Sequence, residues 1–537
     1  SILSIMSFIV TFLIGAIPVA LPAVMTIVQA VGALDLSKKG VLVTRLDSIE
    51  DAASIDIFCF DKTGTITQNK LSVAESRAFE KYKNEDVVRM AALSSKEEGM
   101  DAIDLAIINY SKSENINFDG YKQISYTPFN PSDKKTEAVV EKDNNKFRII
   151  KGAAQMITSL CKDLDKKTLE DINNVIDGFS KKGSRTIAVA EAEYGSDDFK
   201  FVGLLALADP PRSDSKAMIE KLKKLGIRSI MLTGDSKAIA QEIASNVGIG
   251  KRIRKVNELD GLSHDEQIKL INKSDGFAEV YPEDKYKIVK LLQDSGHMVG
   301  MTGDGVNDSP ALKQAELGTA VSAATDVAKA SSSIILTKPG LQEVIDSVKV
   351  SRQTYQRMLT WVINKITKVV EVVALFTVGF FIFHDILISL LGMSLLIFAN
   401  DFATMTIATD NVRSTDEPNE WNIKNITFSS LALGVLFAME DLFVVFIGVR
   451  YFKLDFNKLQ TLVMLSLVFN TQFRILIVRE RKHFWSSVPN KNLLIVSITT
   501  IIGFILLGIF AAFMPVLLPY QVFILLGIAA IFMLSID

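Results

Sequence analysis

The chain has 537 residues, a net charge of −2, 22% charged residues and a mean hydropathy of +0.26. That charge balance argues against nucleic acid or another polyanion as a partner. Length and mixed hydropathy together predict several domains, some in lipid and some in water, and the only cysteines, Cys59 and Cys161, lack metal-ligand spacing and fit a reducing compartment.

Residues 2–34 are almost uncharged and long enough to span a bilayer. Within them Pro18 and Pro22 each remove an amide donor, which either breaks the helix to line an ion site or simply kinks it. Lys38, Lys39 and Arg45 follow, placing that end on the cytoplasmic side. Ile55–Phe60 is then a short apolar, β-branched run, the pattern of a buried parallel strand. It delivers Asp61 to the strand's carboxyl end, where open α/β sheets hold ligands. Thr63, Gly64 and Thr65 let backbone N–H groups close around a phosphate, and Asp61 can act as a nucleophile carrying an aspartyl phosphate.

From 67 to 200 the α/β pattern is interrupted by helices expected near 85–95 and 101–112 and strands at 137–141 and 146–150. The sheet pattern resumes at 201–207, 230–232, 297–301 and 333–336, with helices at 213–225, 236–247 and 284–294 between. Such alternation predicts a doubly wound parallel sheet with an inserted α+β domain. Two strand ends carry chemistry, Thr233-Gly234-Asp235 and the run Thr302–Asp308. Asp304 and Asp308 can join Asp61 around Mg²⁺, which prefers oxygen ligands and offsets repulsion between carboxylate and phosphate. Lys285, opening a helix, can offset charge on a transferring phosphoryl group.

Six further apolar spans are expected near 359–383, 386–409, 427–449, 460–478, 493–514 and 520–536. Arg474, Arg479, Arg481, Lys482, His483 and Lys491 are read together as marking a cytoplasmic loop. Intramembrane ionisable residues are costly and mark function, and Asp401 and Glu371 are the candidates. Asp401 can instead be a buried Asp satisfied by Asn400 and Thr404, and Lys368 can pair with Glu371 one turn away.

In order along the chain, Asp61-Lys62-Thr63-Gly64-Thr65, Lys151-Gly152-Ala153-Ala154, Asp209-Pro210-Pro211-Arg212, Thr233-Gly234-Asp235, Lys285 and 302–308 resemble the motifs of P-type ATPases. Pro128-Phe129-Asn130-Pro131 with Lys134-Lys135-Thr136, and the Asn400-Asp401 pair, are similar to the plasma-membrane proton-pump branch. The resemblance implies a haloacid dehalogenase-like phosphorylation domain over 35–66 and 201–345, a nucleotide-binding domain over 67–200, and membrane segments at 1–34 and 346–537, corresponding to the family's fourth helix and its fifth to tenth. The catalytic parts would be cytoplasmic and the protein a multi-pass component of the cell membrane.

By the same resemblance Asp61 accepts the phosphate, and Lys62, Thr63, Thr233, Gly234, Asp235, Lys285 and Asp308 complete the catalytic set. Thr63 stands where related aspartate phosphatases keep a second acid, which implies a longer-lived phosphoenzyme. Asp61, Thr63 and Asp304 would hold Mg²⁺. Asp104, Phe129, Lys135, Lys151, Gly152 and Arg212 would bind ATP, with Phe129 stacked on adenine; its plain alternative is a core residue. Asp401, Asn400, Glu371, Lys368, Pro18 and Pro22 would line the ion path, with Glu371 standing where proton pumps carry an arginine. The expected activity is ATP-driven H⁺ export. A Mg²⁺ or Ca²⁺ pump using Glu371 with Asp401, or a membrane-anchored aspartyl phosphatase, is the alternative. No TGES-like dephosphorylation loop occurs in the chain, so the expectation is a C-terminal portion without the actuator domain and three helices, unable alone to complete a transport cycle.

Overall fold

Continuous apolar runs bounded by Gly, Asp and Pro build the sheets, and long apolar helices build the rest. The computed structural model describes residues 21–68, 70–97, 101–130, 133–510 and 514–537. Pro18 and most of the expected first span lie outside them, as do Met100 and Pro131. The chain divides into two compact units, Asp56–Ile345 and a unit combining the residues up to Ile55 with Asp346–Asp537.

In Asp56–Ile345 a parallel sheet runs in the order Ile334–Leu336, Leu317–Ala320, Val299–Gly303, Ile57–Asp61, Arg228–Leu232, Gly276–Ala278, Ile253–Lys255. Ile57–Asp61 is buried throughout, as a strand covered on both faces must be. Its neighbours are Val299–Gly303 and Arg228–Leu232. Because all three are parallel, Asp61, the 233–235 turn and the 302–308 run emerge at one edge of the sheet. The expected helices are present as Ser215–Lys224, Lys237–Asn246 and Pro282–Asp294.

A second, antiparallel sheet runs Ser72–Ala78, Lys200–Ala208, Arg185–Glu193, Asn145–Ala153, Lys135–Lys142, Tyr121–Asn130. Asn84–Leu93 and Ala102–Ser113 are the two helices expected beside it. One expectation fails here. Phe201–Leu207 was assigned to the parallel sheet, but Lys200–Ala208 pairs antiparallel with Ser72–Ala78 and Arg185–Glu193. The strand is buried along nearly its whole length, so its sequence lacks the polar alternation that normally betrays an antiparallel strand.

Six helices among the described residues are long and apolar enough to cross a membrane. They are α1 (Gln342–Phe383), α2 (Leu390–Met405, its span continued by the 3-10 turn Thr406–Thr409), α3 (Ile423–Arg450), α4 (Phe456–Val478), α5 (Lys491–Phe510) and α6 (Pro519–Ile536). Helix α4 is the most enclosed, its apolar residues packing with those of α1, α2, α3, α5 and α6. The described end of the first span is the helix Leu21–Lys38, which contains Pro22; its Val24 and Val28 join a cluster with Met358, Trp361 and Ile475.

The basic cluster also needs correction. Arg474 lies inside α4, fully buried, and Arg479 just beyond it is buried too. Arg479 donates to Asp410 Oδ2 at 2.7 Å and to the carbonyls of Ser487 and Asn411, while Asn490 N–H donates to Asp410 Oδ1 at 2.9 Å. This hub ties the end of α4 to the segments after α2 and before α5. Removing one member of a buried pair strands the other charge at a cost of about 3–5 kcal/mol. Arg479→Met should therefore lower the unfolding temperature of the detergent-solubilised protein markedly. The double variant Asp410→Asn/Arg479→Met should recover most of the loss; an equal loss in both would show that packing, rather than the charge, is what matters there.

Candidate active site

Asp61 is the last residue of its strand and only 7% exposed. Its N–H donates to the Thr302 hydroxyl of the neighbouring strand at 3.2 Å. The chain then turns through Lys62–Ile66, where Gly64 takes φ +69°, a left-handed value that an L side chain resists. Lys285 Nζ donates to Asp61 Oδ1 at 2.8 Å and to Asp308 Oδ1 at 2.6 Å. The other Asp308 oxygen accepts from the N–H groups of Asp304 and Gly305, both at 3.1 Å. Lys62 reaches Asp235 at 2.8 Å, joining the ends of two adjacent strands, and Thr233 Oγ1 accepts from Asp235 N–H at 3.1 Å with Gly234 between them.

Two residues inside the noticed motifs take positioning roles that the sequence did not assign. Thr302 holds the Asp61 amide, and Asp209 accepts from Thr67 Oγ1 at 2.5 Å and Lys70 N–H at 3.2 Å, pinning the loop after Asp61. Asp209 stood inside a noticed motif; its contact with position 67 was the missing signal.

Carboxylate oxygens of Asp61, Asp304 and Asp308 lie within 4.8 Å of one another. This all-oxygen, hard donor set fits Mg²⁺. Its electrostatics are those of an acid excess. Burial pushes the Asp61 carboxyl up to about 6, with Lys285 opposing and Asp308 and Asp304 adding to the rise. Burial and the Asp308 charge likewise raise Asp304. Burial disfavours the Lys285 ammonium, but Asp61 and Asp308 more than reverse this and raise it. One ammonium faces three carboxylates, so a further cation has a place here.

The antiparallel sheet carries a cleft of about 780 Å³ lined by Asp104, Phe129, Lys134, Lys151, Gly152 and Arg185, among others. Phe129 is 52% exposed, an open aromatic face rather than a core residue. Lys151 is buried, with its ammonium 2.8 Å from Asp104 Oδ1 and 2.7 Å from Ser95 Oγ, and burial lowers its pKa despite Asp104. Asp104 also accepts from the Tyr126 hydroxyl at 2.8 Å. Gly152 is required by backbone crowding, since a Cβ would stand 2.3 Å from the Lys134 carbonyl oxygen. Two expected members do not line the cleft. Lys135 pairs with Glu137 at 3.3 Å, and Arg212 lines a separate pocket with Gln68, Lys70 and Asp214.

A haloacid dehalogenase-like hydrolase model matches residues 55–316. A Methanocaldococcus jannaschii protein, provisionally named a cation-transporting ATPase, is 38% identical over 524 residues, which is 95% of this chain and 65% of that protein. The chain belongs to the P-type ATPases. A Dictyostelium discoideum protein, provisionally named a plasma membrane ATPase, is 39% identical over 432 residues, 79% of this chain and 40% of that protein. The chain thus spans less than two thirds of the length of either relative.

The membrane residues singled out by the resemblance to P-type ATPases fall into separate ion pairs. Lys365 of α1 stands 3.5 Å from Asp401 of α2, whose Oδ1 has no hydrogen-bond partner. Asn400 beside it is buried, with both amide atoms unpartnered. Glu371 of α1 is ion-paired with Arg474 of α4 rather than with Lys368, and Arg474 Nε also donates to Asn364 at 2.8 Å. Arg474 is therefore a candidate that its apparent membership of a basic loop concealed.

A carboxyl whose folded pKa is raised destabilises the fold once pH exceeds its ordinary value. For Asp61, displaced from 3.8 to about 6, the cost is absent below 3.8 and complete above about 6, reaching roughly 3 kcal/mol. In chelator, Asp61→Asn should unfold at higher temperature than the parent above pH 6, the gap closing as pH falls towards 4. Added Mg²⁺ should stabilise the parent and not the variant; equal unfolding temperatures at all pH values would show that Asp61 bears no such cost.

Proposed function

We propose that this P-type ATPase uses ATP to drive a cation across the plasma membrane through an aspartyl phosphate on Asp61, and that the cation is H⁺. The observation that carries the phosphorylation is the buried Asp61 bridged by Lys285 to Asp308, with Asp304 alongside. One Asp61 oxygen is engaged by Lys285, leaving the other to attack the γ-phosphorus in line. A carboxylate O–P bond forms, the bond to the ADP oxygen breaks, and ADP departs with that electron pair. Lys285 sits where it can follow negative charge from carboxylate to phosphoryl group, and Asp308 keeps it there. Thr233 and the Thr63–Thr65 backbone would hold the equatorial oxygens. Mg²⁺, held by Asp61, Asp304 and the Thr63 backbone, would supply the positive charge that a polyphosphate needs beside three carboxylates. Thr63 offers no acid to speed hydrolysis, which supports a lasting phosphoenzyme over a simple phosphatase.

Phe129 offers a face for adenine, and Lys134 and Arg185 offer cations at the same cleft. Lys151, neutralised by Asp104, supports the shape of that cleft more than it supplies charge.

The H⁺ reading is supported by the separation of the carboxylates. Glu371 is taken up by Arg474, and Asp401 is left with Lys365, 3.5 Å from its Oδ1 and not hydrogen-bonded to it. A divalent cation would need about six or more oxygens, and a pair already committed to different basic groups is a poor start. Arg474 is also a fixed positive charge in the bundle, supplying from α4 what the family's proton pumps carry at the position of Glu371.

Lys285→Met should slow ATP-dependent labelling of Asp61 by about 10²–10³-fold, measured by acid-stable phosphate incorporation. In liposomes the full-length pump that contains this chain should acidify the lumen on ATP addition, without Ca²⁺, and Asp401→Asn should abolish this. ATP turnover without acidification, stimulated by one metal ion and lost in both Asp401→Asn and Glu371→Gln, would instead establish a shared metal site.

A further inference from the structure

Helices α3 and α4 hold a further polar centre, beside the Glu371–Arg474 pair. Glu440 and Asp441, adjacent on α3, are 4% and 0% exposed. Asn470 of α4 donates from Nδ2 to Glu440 Oε2 and, at 3.2 Å, to Asp441 Oδ1. Ser466 donates to the same Asp441 oxygen at 2.7 Å. Three oxygens remain without a hydrogen-bond partner, Glu440 Oε1, Asp441 Oδ2 and Asn470 Oδ1, the last on a fully buried amide aimed at both acids. On its other side Glu440 lines a groove of about 380 Å³ between α3 and α6, walled by Met439, Phe443, Ile528 and Phe532.

The charges do not close. Glu371 of α1 is the third carboxylate acting on the pair, and Arg474 of α4, whose guanidinium lies 5.2 Å from the Phe437 ring centre, is spent on it. Helix α6 brings only Ser535 to the groove as a polar side chain. Neither Glu440 nor Asp441 has an ion-pair partner among the described residues. Two neighbouring ionised carboxylates without a cation are prohibitively costly in a low-dielectric interior. A hard metal ion needs about six or more oxygens, and the three free ones, with Glu371 Oε1 beside them, do not supply them. A proton needs one lone pair and one acceptor, and the pair has both.

We propose that Glu440 and Asp441 form a membrane-embedded proton-binding site distinct from Asp401, with Asn470 as the amide that orients both carboxyls and the α3–α6 groove as its opening to the lipid phase. The site stands on its own geometry and does not require the transport reading.

Dicyclohexylcarbodiimide, a lipid-soluble reagent that adds to protonated carboxyls, tests this on the intact protein in lipid vesicles. The carboxyl oxygen bonds to the carbodiimide carbon, the acid proton passes to nitrogen, and acyl migration leaves a stable N-acylurea, with nothing oxidised or reduced. Peptide mass spectrometry should find the adduct on Glu440, at the groove, declining as pH rises. Labelling should persist in Asp401→Asn and vanish in Glu440→Gln. Absence of adduct from both Glu440 and Asp441 in the parent protein would overturn the proposal, a result that needs no variant to fold. Protection by millimolar Mg²⁺ or Ca²⁺ without any pH dependence would replace the proton with a metal, and loss of labelling in Asp401→Asn would show that the two sites are one.

Discussion

A single ammonium holds the active site together. Lys285, entering from the first turns of its own helix, hydrogen-bonds one oxygen of Asp61 and one of Asp308, residues that follow two adjacent parallel strands. Without that cation the two carboxylates would repel each other and drive apart the loops that carry them. The arrangement requires the strand ends to keep register, which Thr302 on the Asp61 amide and Lys62 on Asp235 help to secure. It also leaves a surplus of negative charge. A resting site with three carboxylates and one lysine is built for something positive that arrives with its substrate.

The grouping of the candidate catalytic residues at one end of the sheet was legible in the sequence because each part is local. A buried parallel strand reads as an apolar run, its end reads as Asp or Gly, and the phosphate-facing turn needs small residues just after it. Asp61, Thr233–Asp235 and Asp304–Asp308 all announce themselves this way. What stayed hidden depends on partners distant in sequence. Asp209 acquires its purpose from Thr67, and Thr302 from the amide of Asp61. The strand at Lys200–Ala208 was misplaced for a related reason, since double-sided burial erases the alternation that separates antiparallel from parallel strands. Arg474 was lost among neighbouring cations because charge composition cannot tell a loop arginine from one whose glutamate lies on another helix.

The cleft proposed for the nucleotide shows how a motif can carry a different emphasis in the fold. Lys151 lines the cleft, yet its ammonium is buried against Asp104, Ser95 and the Ser94 carbonyl. An ammonium so satisfied gains little by turning to a phosphate, because Asp104 would be left buried and unpaired. Gly152, next to it, is dictated by the passage of the Lys134 backbone. These two residues make the wall of the cleft, and the exposed ring of Phe129 is what the wall presents.

In the membrane the contrast between ion pairs is informative. Arg474 and Glu371 are both almost fully buried, and Arg474 has further partners in Asn364 and Thr471, so neither charge can leave without stranding the other. Asp401 and Lys365 are more loosely joined, at 3.5 Å and without a hydrogen bond, with the Asp401 side chain about a third exposed. A group that must bind and release a cation repeatedly has to change its charge cheaply, and a charge locked in a buried ion pair cannot. By that criterion the tight pair suits a scaffold and the loose one suits the ion site proposed above, an ordering that follows from desolvation costs alone.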